Sequence, residues 1–272
     1  MIPEKNPAER SIIRSTLYYG FCGLVLLFLI LPNFVVFPIS FSNATYLEFP
    51  PKQLSLRWYN DYFNRPEWVS ATFTSIEVAL VVTFTAVILG SLTSYGIVRG
   101  RFPGKNFINS LIIAPMVAPV LVTAVAIYMF FSRLGLTGTL AGFIIAHTIL
   151  ATPFVVVVMS AALRGVNIEL EQAAMNLGAN RFTTLRRIVF PLALPGMISS
   201  GLFAFLISFD ELIIAIFISS PTITTLPKKL WDGIRTEINP TIAAISTMLI
   251  TLSVIVLVIV ALVRRHFENR SR

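Results

Sequence analysis

The chain has 272 residues, of which 56% are hydrophobic and 12% charged, with a formal net charge of +8. A soluble domain carries about twice that charged fraction, so the composition points to a membrane protein. The single cysteine, Cys22, excludes an intrachain disulfide framework and a cysteine-rich metal site. Lys and Arg fall in the gaps between apolar runs, which argues for membrane topology and against nucleic-acid binding.

Hydrocarbon about 30 Å thick takes about 20 apolar residues at 1.5 Å of rise each. Six stretches reach that length, near Leu17–Phe41, Ala71–Val98, Phe107–Phe131, Gly138–Leu163, Leu194–Ile218 and Thr241–Val263. The first follows Lys5, Arg10 and Arg14 but is too long for a secretory signal and ends in no clear small-residue cleavage site, so it reads as a retained helix. Between the first two runs, Ser55–Trp68 holds Trp58, Tyr59, Tyr62, Phe63 and Trp68, and predicts a short helix on the outer surface. Glu77, near the outer end of the second span, reads as a solvated helix-start carboxylate, with a contribution to a negative field for a cationic solute as the alternative. His147, beside Thr148 in the fourth, reads as a hydrogen-bonded packing group. After the fifth run, Ser219–Pro240 holds Pro221, Pro227 and Pro240, and predicts a stiff, partly re-entrant loop.

Taking the gaps alternately, one side holds 14 of the 21 Lys and Arg residues, among them both termini and the loops at Arg99–Lys105 and Arg164–Arg187. That side is the cytoplasmic one. The expected organisation is an all-α polytopic protein: a cytoplasmic N-terminus over 1–16, six helices over 17–263 with a cytoplasmic loop at 164–193, and a cytoplasmic tail over 264–272.

That loop is not a plain linker. Leu170, Ala173, Ala174 and Leu177 recur at helical spacing, and Gly178 stands where a helix stops. A second short helix is predicted next, with Phe182, Leu185 and Val189 on one side, Arg186 and Arg187 on the other, and Pro191 as its end. Two short helices with small residues at the tip make a knob that fits another protein's groove, or a hairpin lying on lipid.

The spacing Gln172-Ala173-Ala174, three residues, Gly178, nine residues, Ile188, one residue, Phe190-Pro191 resembles the cytoplasmic signature of permease subunits in binding-protein-dependent ATP-binding-cassette importers. Gln172 stands where the family pattern has Glu, and Phe190 where it has Leu. Glu171 lies next to the first departure. The resemblance runs from about Leu54 to the last span and implies the type I importer permease fold. It also implies that Glu171, Gln172, Ala173, Ala174 and Gly178 couple the chain to a cytoplasmic ATPase. The ATPase belongs to another chain, because no phosphate-binding G-x-x-x-x-G-K-[ST] loop occurs. The nearest run, Gly100–Asn106, is one residue short and lacks the Ser/Thr. No cofactor is expected in this chain; ATP and Mg belong on the partner.

Asp210 and Glu211 fall in the fifth predicted span, where an ionisable group costs at least about 2.5–3.5 kcal/mol and faces a pathway or a partner. As neighbours on one helix they diverge by about 100°. One role is pairing with a companion subunit; the other is lowering the barrier for a cationic solute. The run Phe209-Asp210-Glu211, with Thr225–Trp231 and Ile238–Thr247, resembles the spermidine/putrescine branch of the family, nearest its second permease. This implies a polyamine path lined by Phe209, Asp210 and Glu211, with another small solute (a different amine, an amino acid or an ion) as the alternative. The implied partners are a second, homologous permease, two ATPase subunits, a soluble substrate-binding protein and membrane lipid, in a bacterial inner membrane. A secondary transporter fits less well, since no repeated halves are evident. An intramembrane protease also fits poorly, since Asp210 is the only Asp in a span and no H-E-x-x-H occurs.

Overall fold

The computed structural model describes residues 7–236 and 239–270, with side chains placed from Ser15 to Thr236, from Asn239 to Ile259 and at Leu262. Lys5, Ile238 and Arg272 lie outside the described residues, as do the side chains of Arg10, Arg14, Arg264, Arg265 and Arg270. The described chain is helical, with one isolated antiparallel bridge, Ser42 to Leu54. Five helices are long and apolar enough to cross a membrane, and a bent pair makes a sixth crossing if taken as one span.

The chain divides into two compact units. The first comprises the residues up to Asn64 with Thr236–Thr251. It contains α1 (Pro7–Ser40), α2 (Arg57–Asn64) and the start of α12 (Thr241–Arg270). The predicted short helix is present as α2. Its aromatic residues divide between two roles. Trp58 and Tyr62 are buried, Trp58 Nε1 donates to the Ala44 carbonyl at 3.2 Å, and only Phe63 stays exposed. Thr241 Oγ1 donates to Asp61 Oδ2 at 2.7 Å, which ties α2 to the start of α12.

The second unit, Arg65–Arg235 with Leu252–Arg272, holds the bundle. Its helices are α3 (Pro66–Arg99), α4 (Lys105–Val117), α5 (Val120–Leu134), α6 (Leu140–Gly165), α7 (Ile168–Asn176), α8 (Arg181–Thr184), α9 (Phe190–Phe209), α10 (Ile213–Ile218) and α11 (Leu226–Thr236). The core is α3, α6 and α9, each packed on the other two. On α3 the buried stripe is Val78, Val82, Ala86, Gly90 and Ser94, a four-residue repeat that marks one helix face. Small residues bring the axes close: a Cβ on Gly90 would lie 2.5 Å from Val155 Cγ1, and one on Gly196 would lie 2.3 Å from Ala162 Cβ. Hydroxyls add links between α3 and α6, from Ser94 Oγ to the Val156 carbonyl at 3.1 Å and between Thr85 and Thr148 at 3.0 Å.

Three expectations from the sequence change. The stretch Phe107–Phe131 is not one straight helix. It is the pair α4–α5, bent by 101°. Pro119 forces this, because its ring disfavours helical geometry at Ala118, which is extended at ψ 141°. Pro191 does not end a helix either. The segment from Arg181 runs on to Phe209, and the turn Leu185–Val189 widens to a π-helix in which the Phe190 N–H reaches the Leu185 carbonyl. A proline has no N–H and crowds the carbonyl four residues back, and the wider turn accommodates both. The stretch Ser219–Pro240 contains the helix α11, with Pro227 at its second position, where a missing N–H breaks no bond. The Leu226 N–H at its start donates to Ser75 Oγ on α3 at 2.8 Å.

Candidate functional site

Two regions carry the residues singled out from the sequence. The first is α7 and the turn after it. Asn167 caps α7 by accepting the Glu169 N–H at 2.9 Å. At the other end, Gly178 N–H bonds the Met175 carbonyl and Ala179 N–H the Ala174 carbonyl, both at 3.0 Å. This is the pair of bonds that closes a helix through a left-handed residue, and Gly178 supplies it at φ +91°. The chain then reverses into α8, where Asn180 Oδ1 accepts the Thr183 N–H at 2.8 Å. The tip is apolar and open: Leu177 is 90% and Phe182 71% exposed. Gln172 and Ala173 are exposed beside them, Ala174 is half-buried and Gly178 is exposed.

Glu171 points the other way. It is 4% exposed, and its Oε1 accepts from Arg99 Nε at 2.7 Å. Tyr95 Oη donates to the second carboxylate oxygen at 3.3 Å, and Arg99 Nη2 donates to the Val166 carbonyl at 2.6 Å. One arginine at the end of α3 therefore holds both the entry to α7 and its middle. Sequence reading did not single out Arg99 or Tyr95. The only signal for Arg99 was its place at the end of an apolar run, which the positive-inside pattern already explains.

The second region is the end of α9. The predicted continuous helix Leu194–Ile218 is interrupted: α9 stops at Phe209, Asp210 sits at its C-cap, and α10 begins at Ile213. The 100° divergence expected of two acids on one helix therefore does not apply. Glu211 Oε1 accepts the Ile214 N–H at 2.8 Å, meeting one of the donors that the start of α10 leaves open. Asp210 is exposed; its backbone N–H bonds Leu206, and its carboxylate makes no hydrogen bond among the described residues. Phe209 is buried and stacks on Phe205 at 5.5 Å, so it packs the end of α9.

His147 on α6 serves the same break. Its Nδ1 lies 3.1 Å from the Ser208 carbonyl and 3.0 Å from Ser208 Oγ. With its proton on Nδ1 the imidazole donates to a carbonyl that the ending helix leaves without an intrahelical partner; with Nδ1 unprotonated it accepts from the Ser208 hydroxyl. This is the hydrogen-bonded packing role expected for it. Glu77 differs from its expectation. α3 begins at Pro66, which places this exposed carboxylate three turns inside the helix, about 16 Å along, and not at its start.

Residues 86–271 match the family described as "Binding-protein-dependent transport system inner membrane component". The chain is 30% identical to the spermidine/putrescine transport system permease protein PotC of Haemophilus influenzae, over 93% of this chain and 98% of that one. It is 35% identical to the putrescine transport system permease protein PotI of Escherichia coli, over 72% of each. The trehalose transport system permease protein SugB of Mycobacterium tuberculosis is 25% identical over 76% of this chain and 77% of its own length. Among solved structures, a chain of a bacterial ABC transporter involved in importing the acidic polysaccharide alginate superposes with a TM-score of 0.74, covering 97% of this chain and 99% of that one at 17% identity.

Proposed function

The chain belongs to the family of inner membrane components of binding-protein-dependent transport systems, and from that premise we propose that it forms half of a polyamine pathway in an ATP-driven importer. It is a permease subunit of a binding-protein-dependent ABC importer, and such permeases are not enzymes. ATP hydrolysis falls to separate ATPase chains, two of which dock below. A second permease, a different chain, completes the pathway, and a soluble binding protein delivers the solute. Both termini are cytoplasmic, with the α7 knob on the same side.

The observation that carries the polyamine reading is the break at Asp210 and Glu211. It leaves a carboxylate exposed within an otherwise apolar segment, with no salt bridge to either acid among the described residues. Lipid gives such a charge no stabilisation, whereas a cationic solute does. Likeness to two polyamine permeases supports the same solute class. Of the two acids, Asp210 is free to meet an ammonium group, while Glu211 is committed to capping α10. Phe209 holds Asp210 at the break by packing on Phe205. Gln172, Ala173, Ala174 and Gly178 form the ATPase-facing knob, and Glu171 anchors it from behind. Alternating access follows when closure of the ATPases displaces the knob.

A pair of unit charges about 4 Å apart interacts by about 1 kcal/mol in water and about 4 kcal/mol at an effective dielectric of 20. Asp210→Asn should therefore lower uptake of labelled putrescine and spermidine by at least about fivefold in proteoliposomes holding the full complex. Glu211→Gln keeps an oxygen for the Ile214 N–H and should do less harm. Normal polyamine uptake by both variants would remove the polyamine reading and leave the permease role intact. Likeness to a trehalose permease makes a neutral solute the reading that would then stand.

A further inference from the structure

A cleft of about 360 Å³ opens where the ends of α3 and α6 meet the start of α4. Arg99, Lys105 and Arg164 line it with the amides of Asn106 and Asn109, and no carboxylate is among its lining residues. We propose that this cleft binds the phosphate of an anionic lipid headgroup.

The charges do not cancel within the cleft. Glu171 meets Arg99 from the α7 side, but Lys105 and Arg164 form no salt bridge among the described residues. Lys105 Nζ donates to the Gly100 carbonyl at 3.1 Å, which uses one of its three N–H bonds. Arg99 spends Nε on Glu171 and Nη2 on Val166, leaving further guanidinium donors. With Arg99 already paired to Glu171, Lys105 and Arg164 leave a net positive charge in the cleft, and a bound anion offsets it. The start of α4 adds to the same field. Gly104 caps it at φ +78° without any side-chain acceptor, so the first-turn N–H groups of a 13-residue helix are open toward an anion.

Position favours a lipid over a dissolved phosphate. Arg99 ends α3 and Arg164 lies in the last turn of α6, so the cleft sits at the membrane–water boundary, where headgroup phosphates lie. Directly along α4 from the basic end, Phe107, Ile108 and Leu111 are exposed. A cationic cleft followed at once by an open apolar surface matches a phosphate with acyl chains attached. A free anion has no use for the apolar part.

The test uses the assembled transporter, exchanged into mixed micelles of equimolar phosphatidylglycerol and phosphatidylcholine, with retained lipid read by native mass spectrometry. Wild type should retain phosphatidylglycerol selectively. Lys105→Gln and Arg164→Gln should each lower that retention about fivefold, and Lys105→Arg should keep it. Arg101→Gln, which removes an exposed cation from the same loop outside the cleft, should leave retention unchanged. Wild-type retention in a variant carrying both Lys105→Gln and Arg164→Gln, or an equal loss in Arg101→Gln, would overturn the site. A second arm measures modification of Lys105 by an amine reagent in neutral detergent. Protection by phosphatidylglycerol but not by millimolar inorganic phosphate supports the lipid. Equal protection by phosphate alone would overturn the lipid assignment in favour of a soluble anion. Each variant is scored only at wild-type thermal unfolding, which Lys105→Arg and Arg101→Gln anchor.

Discussion

The Arg99–Glu171 pair is the contact that makes α7 part of the bundle rather than an appendage. Both side chains are largely shielded, at 15% and 5% exposure, and the bond is 2.7 Å long. Removing one partner of a buried ion pair leaves the other charge without compensation and costs about 3–5 kcal/mol, whereas replacing both with apolar residues of similar size is often neutral. Arg99→Met and Glu171→Met should therefore each lower stability by about 3–5 kcal/mol in mixed-micelle unfolding, and the double variant should recover most of it. Because each single loss of about 3–5 kcal/mol is largely absent from the double variant, the interaction energy from the cycle should be at least about 5 kcal/mol. Function should separate from stability. The double variant, though stable, has lost the directional bonds from α3 to Glu171 and leaves Val166 unheld, so uptake per ATP hydrolysed should stay low. If the single variants are as stable as wild type, or if the two losses simply add, the pair is not a strut. If the double variant transports with normal stoichiometry, α7 is held by other contacts.

Two further predictions concern backbone and packing. Gly178→Ala meets no neighbour within 4 Å, so its penalty is that of a left-handed residue, about 1–2 kcal/mol, and uptake should fall modestly. Gly178→Pro excludes φ +91° and removes the N–H that bonds Met175, and should uncouple hydrolysis from uptake at normal membrane insertion. Normal uptake by a well-expressed Gly178→Pro protein would refute the role given to this turn. Gly196→Val and Gly90→Val thrust a branched side chain into Ala162 and Val155 on α6, and should each destabilise by at least about 1–3 kcal/mol in the same unfolding assay. Unchanged stability would mean that the helices do not approach as closely as 2.3–2.5 Å contacts require.

Hydropathy alone determined that the chain is a helical membrane protein, because no other way of burying so many apolar residues over lengths of about 20 is open to it. The knob was also legible, since Gly178 and the spacing around it are local backbone chemistry. The bend at Pro119 and the π-turn before Pro191 were written in the sequence as prolines, although an apolar count over Phe107–Phe131 passed across the first and Pro191 was read as a stop. The break at Asp210 was harder to see. An acid in an apolar run marks expense, not a change of direction, and only the carbonyl of Ser208 meeting His147 and the carboxylate of Glu211 meeting Ile214 show how the backbone is satisfied there.

What tertiary structure alone decided is which way each charged group faces. Glu171 and Gln172 are neighbours in the chain, yet one is buried and the other open. The difference is made by Arg99, 72 residues away, whose guanidinium reaches only one of them. The basic cleft arose in the same way, from Arg99, Lys105 and Arg164, which in the sequence are three separate instances of positive charge beside apolar runs. Local patterns fix helices, caps and spans because their physics acts over a few residues. The placing of a charge against its counter-charge depends on helix packing, which brings together residues that the sequence keeps far apart.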